Sequence, residues 1–190
     1  MPRYAAFLRA VNLGASRRVS GAELRSHFEA LGFGEVATFR TSGNVGFEAD
    51  REPAADLTGR IEEALTEALG HEAAVFLRSG DEVRALAEHE PFDPAVVEAS
   101  GGKLQVALLS ARPPAATRDA VLALATAQDR LALGERELHW LPSAGVLDSP
   151  LDLEAIEGLL GSYTMRTMGT VEGLVTKYFG GAPSRQVPRE

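Results

Sequence analysis

Apolar residues run almost unbroken from Tyr4 to Val11, then change to helical spacing at Leu24, Phe28 and Leu31. The compact run predicts a buried strand, and the i, i+4, i+7 spacing predicts a helix with one face on a core. The start of that helix is marked locally. Ser20 stands three residues before Glu23, the spacing of a reciprocal capping box, and Val19 can pack on Leu24 as a hydrophobic staple. Gly32 suits the left-handed position after the last turn. Two strand patterns follow, Val36–Thr41 and Asn44–Glu48, around the hairpin signal Ser42-Gly43. A second helix begins at Pro53, carries Leu57, Ile61, Leu65 and Leu69, and stops at Gly70. Ala73–Leu77 completes the order βαββαβ.

The same order is expected again further along. Ser79 and Glu82 cap a short helix with Val83 and Leu86, Pro91 stops it, and Ser100-Gly101-Gly102 precedes a strand over Leu104–Leu109. Pro113-Pro114 opens a helix bearing Val121, Leu122, Leu124 and Ala125; strands follow at Arg130–Leu133 and Leu138–Leu141. Ser149, with Pro150 at the first helical position, is expected to cap a helix carrying Leu153, Ile156 and Leu160. Tyr163–Arg166 would be the last strand and Val171–Phe179 a closing helix. The expected fold is α+β: two tandem ferredoxin-like (βαββαβ) halves with antiparallel sheets and a C-terminal helix. The expected boundaries are 1–80 for the first half, 81–102 for a linker with a short helix, 103–179 for the second half with the final helix, and 180–190 for a disordered tail.

Composition narrows the function classes. With no cysteine among 190 residues, disulfides and thiolate metal sites are excluded. No apolar run approaches the roughly 18 residues of a membrane-spanning helix. The N-terminal residues enter a strand pattern directly, without a signal-peptide hydrophobic region, so a cytoplasmic location without membrane contact is expected. A net charge of −8 disfavours nucleic acid, whose binding requires a basic face. Phe7 and Phe47 stand where RNA-binding ferredoxin-like domains stack bases, but core packing explains them better in an acidic chain with 6% aromatic residues. The charge is uneven. Residues 1–50 hold six Arg against five Asp or Glu, and the remainder thirteen basic against twenty-two acidic residues. Either solvated helix faces or a local anion site in the first fifty residues accounts for this asymmetry.

Candidate chemistry follows from topology. In a βαββαβ sheet the first and third strands are neighbours. Asn12, Leu13 and Gly14 should therefore meet Ser42, Gly43 and Asn44 at one sheet end. Asn12, Ser42 and Asn44 offer neutral donors and acceptors, and Gly14 and Gly43 allow close backbone approach. Arg17 and Arg18, with Arg9 and Arg40 nearby, can pair with phosphate or carboxylate. The competing account is that Asn and Gly simply make turns. A second candidate edge collects Ser149, Arg166 and Thr170 in the other half, although helix capping and a surface ion pair also account for Ser149 and Arg166. His27, His71, His89 and His139 lack metal-ligand spacing, and there is no GxxxxGK[ST], GxGxxG or GxSxG motif, so no metal, cofactor or catalytic residue is assigned.

The segments Phe7–Gly14 and Thr41–Phe47, with Ala22-Glu23-Leu24-Arg25 and Leu31-Gly32-Phe33 between them, resemble the bacterial domain-of-unknown-function 1697 family. Thr164–Val171 resembles that family's closing motif. Departures occur at Ala10 and Ala15, where Gly is common, at Pro150, and at Thr167-Met168. The resemblance implies tandem ferredoxin-like halves and no known activity. The expected role is a binding or regulatory module for a small anionic metabolite. An enzyme acting on such a metabolite and a protein-interaction scaffold are the alternatives.

Overall fold

The computed structural model describes residues 1–11, 19–40 and 43–180. Packing divides the chain into two units, Met1–Glu88 together with the chain from Glu172 onward, and His89–Val171.

The first unit contains β1 (Arg3–Arg9), α1 (Gly21–Ala30), β2 (Gly34–Phe39), β3 (Asn44–Glu48), α2 (Ala54–Leu69), β4 (Ala74–Ser79) and α3 (Gly80–Glu88). Its sheet has the order β2-β3-β1-β4, with every neighbouring pair antiparallel. The capping box that starts α1 is formed: the Glu23 amide donates to Ser20 Oγ at 3.1 Å and the Ser20 amide to Glu23 Oε2 at 2.7 Å. Strand alternation sends Ala6, Leu8, Val45, Phe47, Val75 and Leu77 to one face, where they bury Leu24, Phe28, Leu57, Ile61 and Leu65 of α1 and α2. Phe28, Phe33 and Phe47 form a tilted aromatic cluster with centroids 4.6–6.0 Å apart.

The opposite face of this sheet carries Ala5, Phe7, Gly46 and Arg78, and the C-terminal segment covers it. A Cβ on Gly46 would lie 2.5 Å from the Tyr178 ring, so the absent side chain is what admits that ring. Phe179 packs against Gly80, Phe39 against Gly173, and Arg3 donates to the Tyr178 carbonyl at 3.0 Å. The closing helix, expected to complete the second half, therefore joins the first unit from Glu172 onward. Helix α3, expected in the linker, also belongs there, because Val83 and Leu86 are buried on its inner face.

The second unit contains α4 (Pro94–Ala99), β5 (Gln105–Leu109), α5 (Ala115–Leu122), β6 (Asp129–Leu133), β7 (Glu137–Pro142), a 3₁₀ turn (Val146–Asp148), α6 (Leu153–Leu160), β8 (Tyr163–Thr167) and the start of α7 (Met168–Leu174), which continues into a π-helical turn (Val175–Phe179). Its antiparallel sheet has the order β6-β7-β5-β8. Ala107, Leu109, Leu138 and Trp140 meet Val121 and Ile156 in the core. Two local expectations change here. Asp152, not Ser149, caps α6, accepting the Ala155 amide at 2.8 Å, so Pro150 precedes the helix. Helix α4 was not foreseen; Asp93 caps it and Pro94 begins it. No helix of the described residues is long and apolar enough to cross a membrane.

Candidate functional site

The end of β1 and the β2–β3 turn are adjacent. The β1–β3 register pairs Phe7 with Asn44, and the Leu8 amide donates to the Gly43 carbonyl at 2.8 Å. Gly43 has φ +72°, and a Cβ there would sit 3.0 Å from Leu8 Cβ, so this turn favours glycine on both counts. Asn44 is fully buried, and its Nδ2 donates to the Phe39 carbonyl at 2.9 Å across the turn. Of the predicted cluster, Gly43 and Asn44 thus serve the turn itself. Asn12, Gly14, Arg17, Arg18 and Ser42 lie outside the described residues.

Two strained residues mark this sheet end. Ala10, just after β1, has φ +64°, and Arg40, just after β2, has φ +57°. A left-handed conformation costs a side-chain-bearing residue about 1–2 kcal/mol, and such strain collects at functional segments. The imidazole of His71 holds the first of them, with Nε2 at 2.7 Å from the Ala10 carbonyl and Nδ1 at 3.2 Å from that of Leu69. Arg40 is exposed and lies over the Phe39 ring, 5.4 Å from its centroid.

The second predicted edge separates. Ser149 Oγ donates to Asp129 Oδ1 at 2.7 Å and accepts the Leu151 amide at 3.0 Å, on the side of the sheet that carries Trp140 and the helices. Arg166 lies on the other face of β8, donating to Thr164 Oγ1 and the Met165 carbonyl, each at 2.8 Å. From β6 to β8 is three strand spacings, about 14 Å. Thr170 is buried, with its hydroxyl 2.9 Å from that of Thr167. Burial lowers the Arg166 guanidinium to about 10, which leaves it cationic at neutral pH.

Two polar features escaped the sequence reading. The first is Asp129, 1% exposed, which accepts from Trp140 Nε1, Ser149 Oγ and Thr126 Oγ1, all at 2.7 Å. Burial pushes this carboxyl up, but the bonds from Ser149, Thr126 and Trp140 together hold it below its ordinary value. The available signal was the single tryptophan, whose N–H needs a partner when buried. The second is the burial of His139 on β7, a residue weighed above only for metal-ligand spacing: it too is 1% exposed, with neither ring nitrogen hydrogen-bonded. Its ring lies 5.1 Å from that of His89, and burial, followed by the neighbouring His89, lowers it to about 4. Among the described residues no group of three or more His, Asp or Glu side chains could hold a metal ion.

Two four-stranded antiparallel sheets with seven α-helices among the described residues make this a mixed α+β protein. Its polar clusters close turns and bind loops to the sheets. The chain belongs to the family "Protein of unknown function (DUF1697)", which it matches over residues 1–139. It is similar in structure to the conserved bacterial protein SP0830 from Streptococcus pneumoniae, with a TM-score of 0.66 and 19% identity over 92% of this chain and 97% of that one. At that identity the likeness concerns the fold alone. None of the curated proteins compared with the chain matches it.

Proposed function

We propose that this protein is a binding or regulatory module for a small anionic metabolite, built from two ferredoxin-like halves, with its site where β1 ends beside the β2–β3 turn. The observation that carries the site is the Leu8–Gly43 contact within the Phe7–Asn44 register, flanked by the left-handed Ala10 just after β1 and Arg40 just after β2. Arg17 and Arg18 follow β1 in sequence, within the first fifty residues, whose net charge is +1 against −9 for the rest of the chain taken together, and with Arg40 supply the cations. Asn12, Gly14 and Ser42 belong to the same two segments. Gly43 and Asn44 contribute by shaping the turn.

Matching positions in the two sheets support the duplicated halves. In each, the first strand of the sheet lies between the third and the fourth. Ala6 and Leu8 face the helices of the first unit as Ala107 and Leu109 face those of the second. A buried arginine on the last strand stands across from the first strand in both, Arg78 opposite Ala5 and Arg166 opposite Val106.

The test is a thermal-shift panel of nucleotides, sugar phosphates and small carboxylates. A ligand at 100 times its Kd adds about 2.7 kcal/mol. At about 2–4 °C per kcal/mol, that raises Tm by roughly 5–10 °C for a chain of this size. The shift should vanish in Arg17→Ala/Arg18→Ala/Arg40→Ala. A panel without any shift, or a shift that survives in the triple variant, overturns the reading. Turnover of the ligand would make the protein an enzyme at the same site.

A further inference from the structure

A cleft of about 440 Å³ opens in the second unit, on the side of β6–β7 that faces away from α5 and α6. One wall is helix α4, and short contacts hold that wall in place. Ser100 Oγ donates to the Pro142 carbonyl at 2.5 Å and the Gly101 amide to that of Ser143 at 3.1 Å. A Cβ on Gly102 would lie 2.3 Å from the carbonyl oxygens of both Pro142 and Ala144, so only glycine permits so close a fit. The sequence Ser100-Gly101-Gly102 thus fastens α4 beside the end of the β6–β7 pair.

The lining is apolar at the centre and polar at the rim. Val96 of α4 and the buried Leu141 of β7 provide the apolar surface. Arg130, the cross-strand partner of Leu141, stands beside it, with Gln128 and Ser143 at the margin. Arg130 is exposed and has no hydrogen-bonding or ion-pair partner for its guanidinium among the described residues. The cleft's one carboxylate, Asp93, already accepts the Ala95 amide at 2.8 Å as the cap of α4. The charge therefore matches a single negative group, and the lining beside it matches hydrocarbon. The volume lies within the range of small-molecule pockets.

We propose that this cleft, distinct from the edge at Gly43, binds a small monocarboxylate with an apolar body. Arg130 receives the carboxylate, Val96 and Leu141 the hydrocarbon, and Gln128 and Ser143 hydrogen-bond the carboxylate from the rim. One guanidinium pairs bidentately with one carboxylate, whereas a phosphate dianion would leave charge uncompensated next to Asp93.

The experiment is an amide ¹H–¹⁵N titration of the full chain with straight-chain carboxylates of two to eight carbons, and with inorganic phosphate as the apolar-free anion. Shifts should map to residues 95–100, 128–130 and 143. Affinity should rise about fourfold per added methylene until the cleft is full, as burial of each CH₂ predicts. Arg130→Gln should weaken binding at least tenfold, and Val96→Asp, which leaves Arg130 in place, should do the same. Both variants are checked for native spectral dispersion. Absence of binding at 10 mM, shifts confined to other residues, affinity independent of chain length, equal binding of phosphate, or undiminished binding by Arg130→Gln each overturns the proposal. Neither variant touches the edge at Gly43. A failure here consequently leaves the thermal-shift result to be judged by its own arginine variant.

Discussion

His139 makes the second unit sensitive to acid by an amount the structure specifies. Its ring is 1% exposed, both nitrogens lack partners, and His89 lies 5.1 Å away. On the same face, alternation places Glu137 two residues earlier on β7 and Arg166 beyond Val106 on β8. The folded imidazole titrates at about 4, against 6.5 for an ordinary histidine. A base with a depressed folded value binds its proton more readily when unfolded, so stability is full above pH 6.5 and falls as pH drops toward 4. At pH 5 the loss is about 2 kcal/mol, and it levels off near 3 kcal/mol below pH 4. Urea denaturation followed by Trp140 fluorescence measures this. His139→Leu removes the titrating group and two unpaired nitrogens, so its stability relative to wild type should rise by about 2 kcal/mol between pH 7.5 and pH 5. A difference between the two proteins that is the same at both pH values would refute the reasoning, because it would mean that His139 is protonated or solvated in the folded state.

Asp129→Ala leaves the buried Trp140 Nε1 and the half-buried Ser149 and Thr126 hydroxyls without their acceptor and should cost about 3 kcal/mol in urea unfolding, at roughly 1–3 kcal/mol per lost buried partner and less for the half-buried ones. The same carboxylate is held below its ordinary value. Its contribution is thus present above about pH 4 and is lost as pH falls through the folded value. Gly46→Ala drives a methyl group into the Tyr178 ring and should destabilise by about 1–3 kcal/mol. Tyr178→Ala in the same chain should cancel part of that cost, and additive effects would show that the ring does not sit there. Ser20→Ala breaks the capping box of α1 and should lower stability by about 1 kcal/mol by chemical denaturation, with no change in the urea m-value.

Local signals were legible wherever a few neighbouring residues settle the outcome. Ser20 and Glu23 are three apart, so their reciprocal bonds need only one helical turn, and they form as read. The hairpin at Gly43 and the strands of both sheets follow from alternation and a required positive φ. Ser149 shows where local reading fails. Its position before Pro150 suits a cap, yet its hydroxyl finds Asp129, twenty residues earlier, and Asp152 takes the cap instead. For the candidate edge, sequence could place Gly43 beside the end of β1, because strand order alone brings them together. It could not show that Asn44 points into the sheet and spends its amide on Phe39.

Apart from helix α4, the sequence by itself determined the strands and helices, their order and the amphipathic character of the longer helices, because these depend on period and on contacts within a few residues. Tertiary structure decided which surface each helix covers. The closing segment is apolar at Val171, Leu174, Val175 and Phe179, and nothing in that spacing says which sheet receives it. Gly46 and Gly80 decide it by leaving room for Tyr178 and Phe179 on the first sheet, more than ninety residues away along the chain. The burial of Asp129 beneath Trp140 and of His139 against His89 has the same origin. Each depends on partners that only register and packing bring within reach, and the energy that selects among such partners is summed over the whole core rather than encoded at either residue.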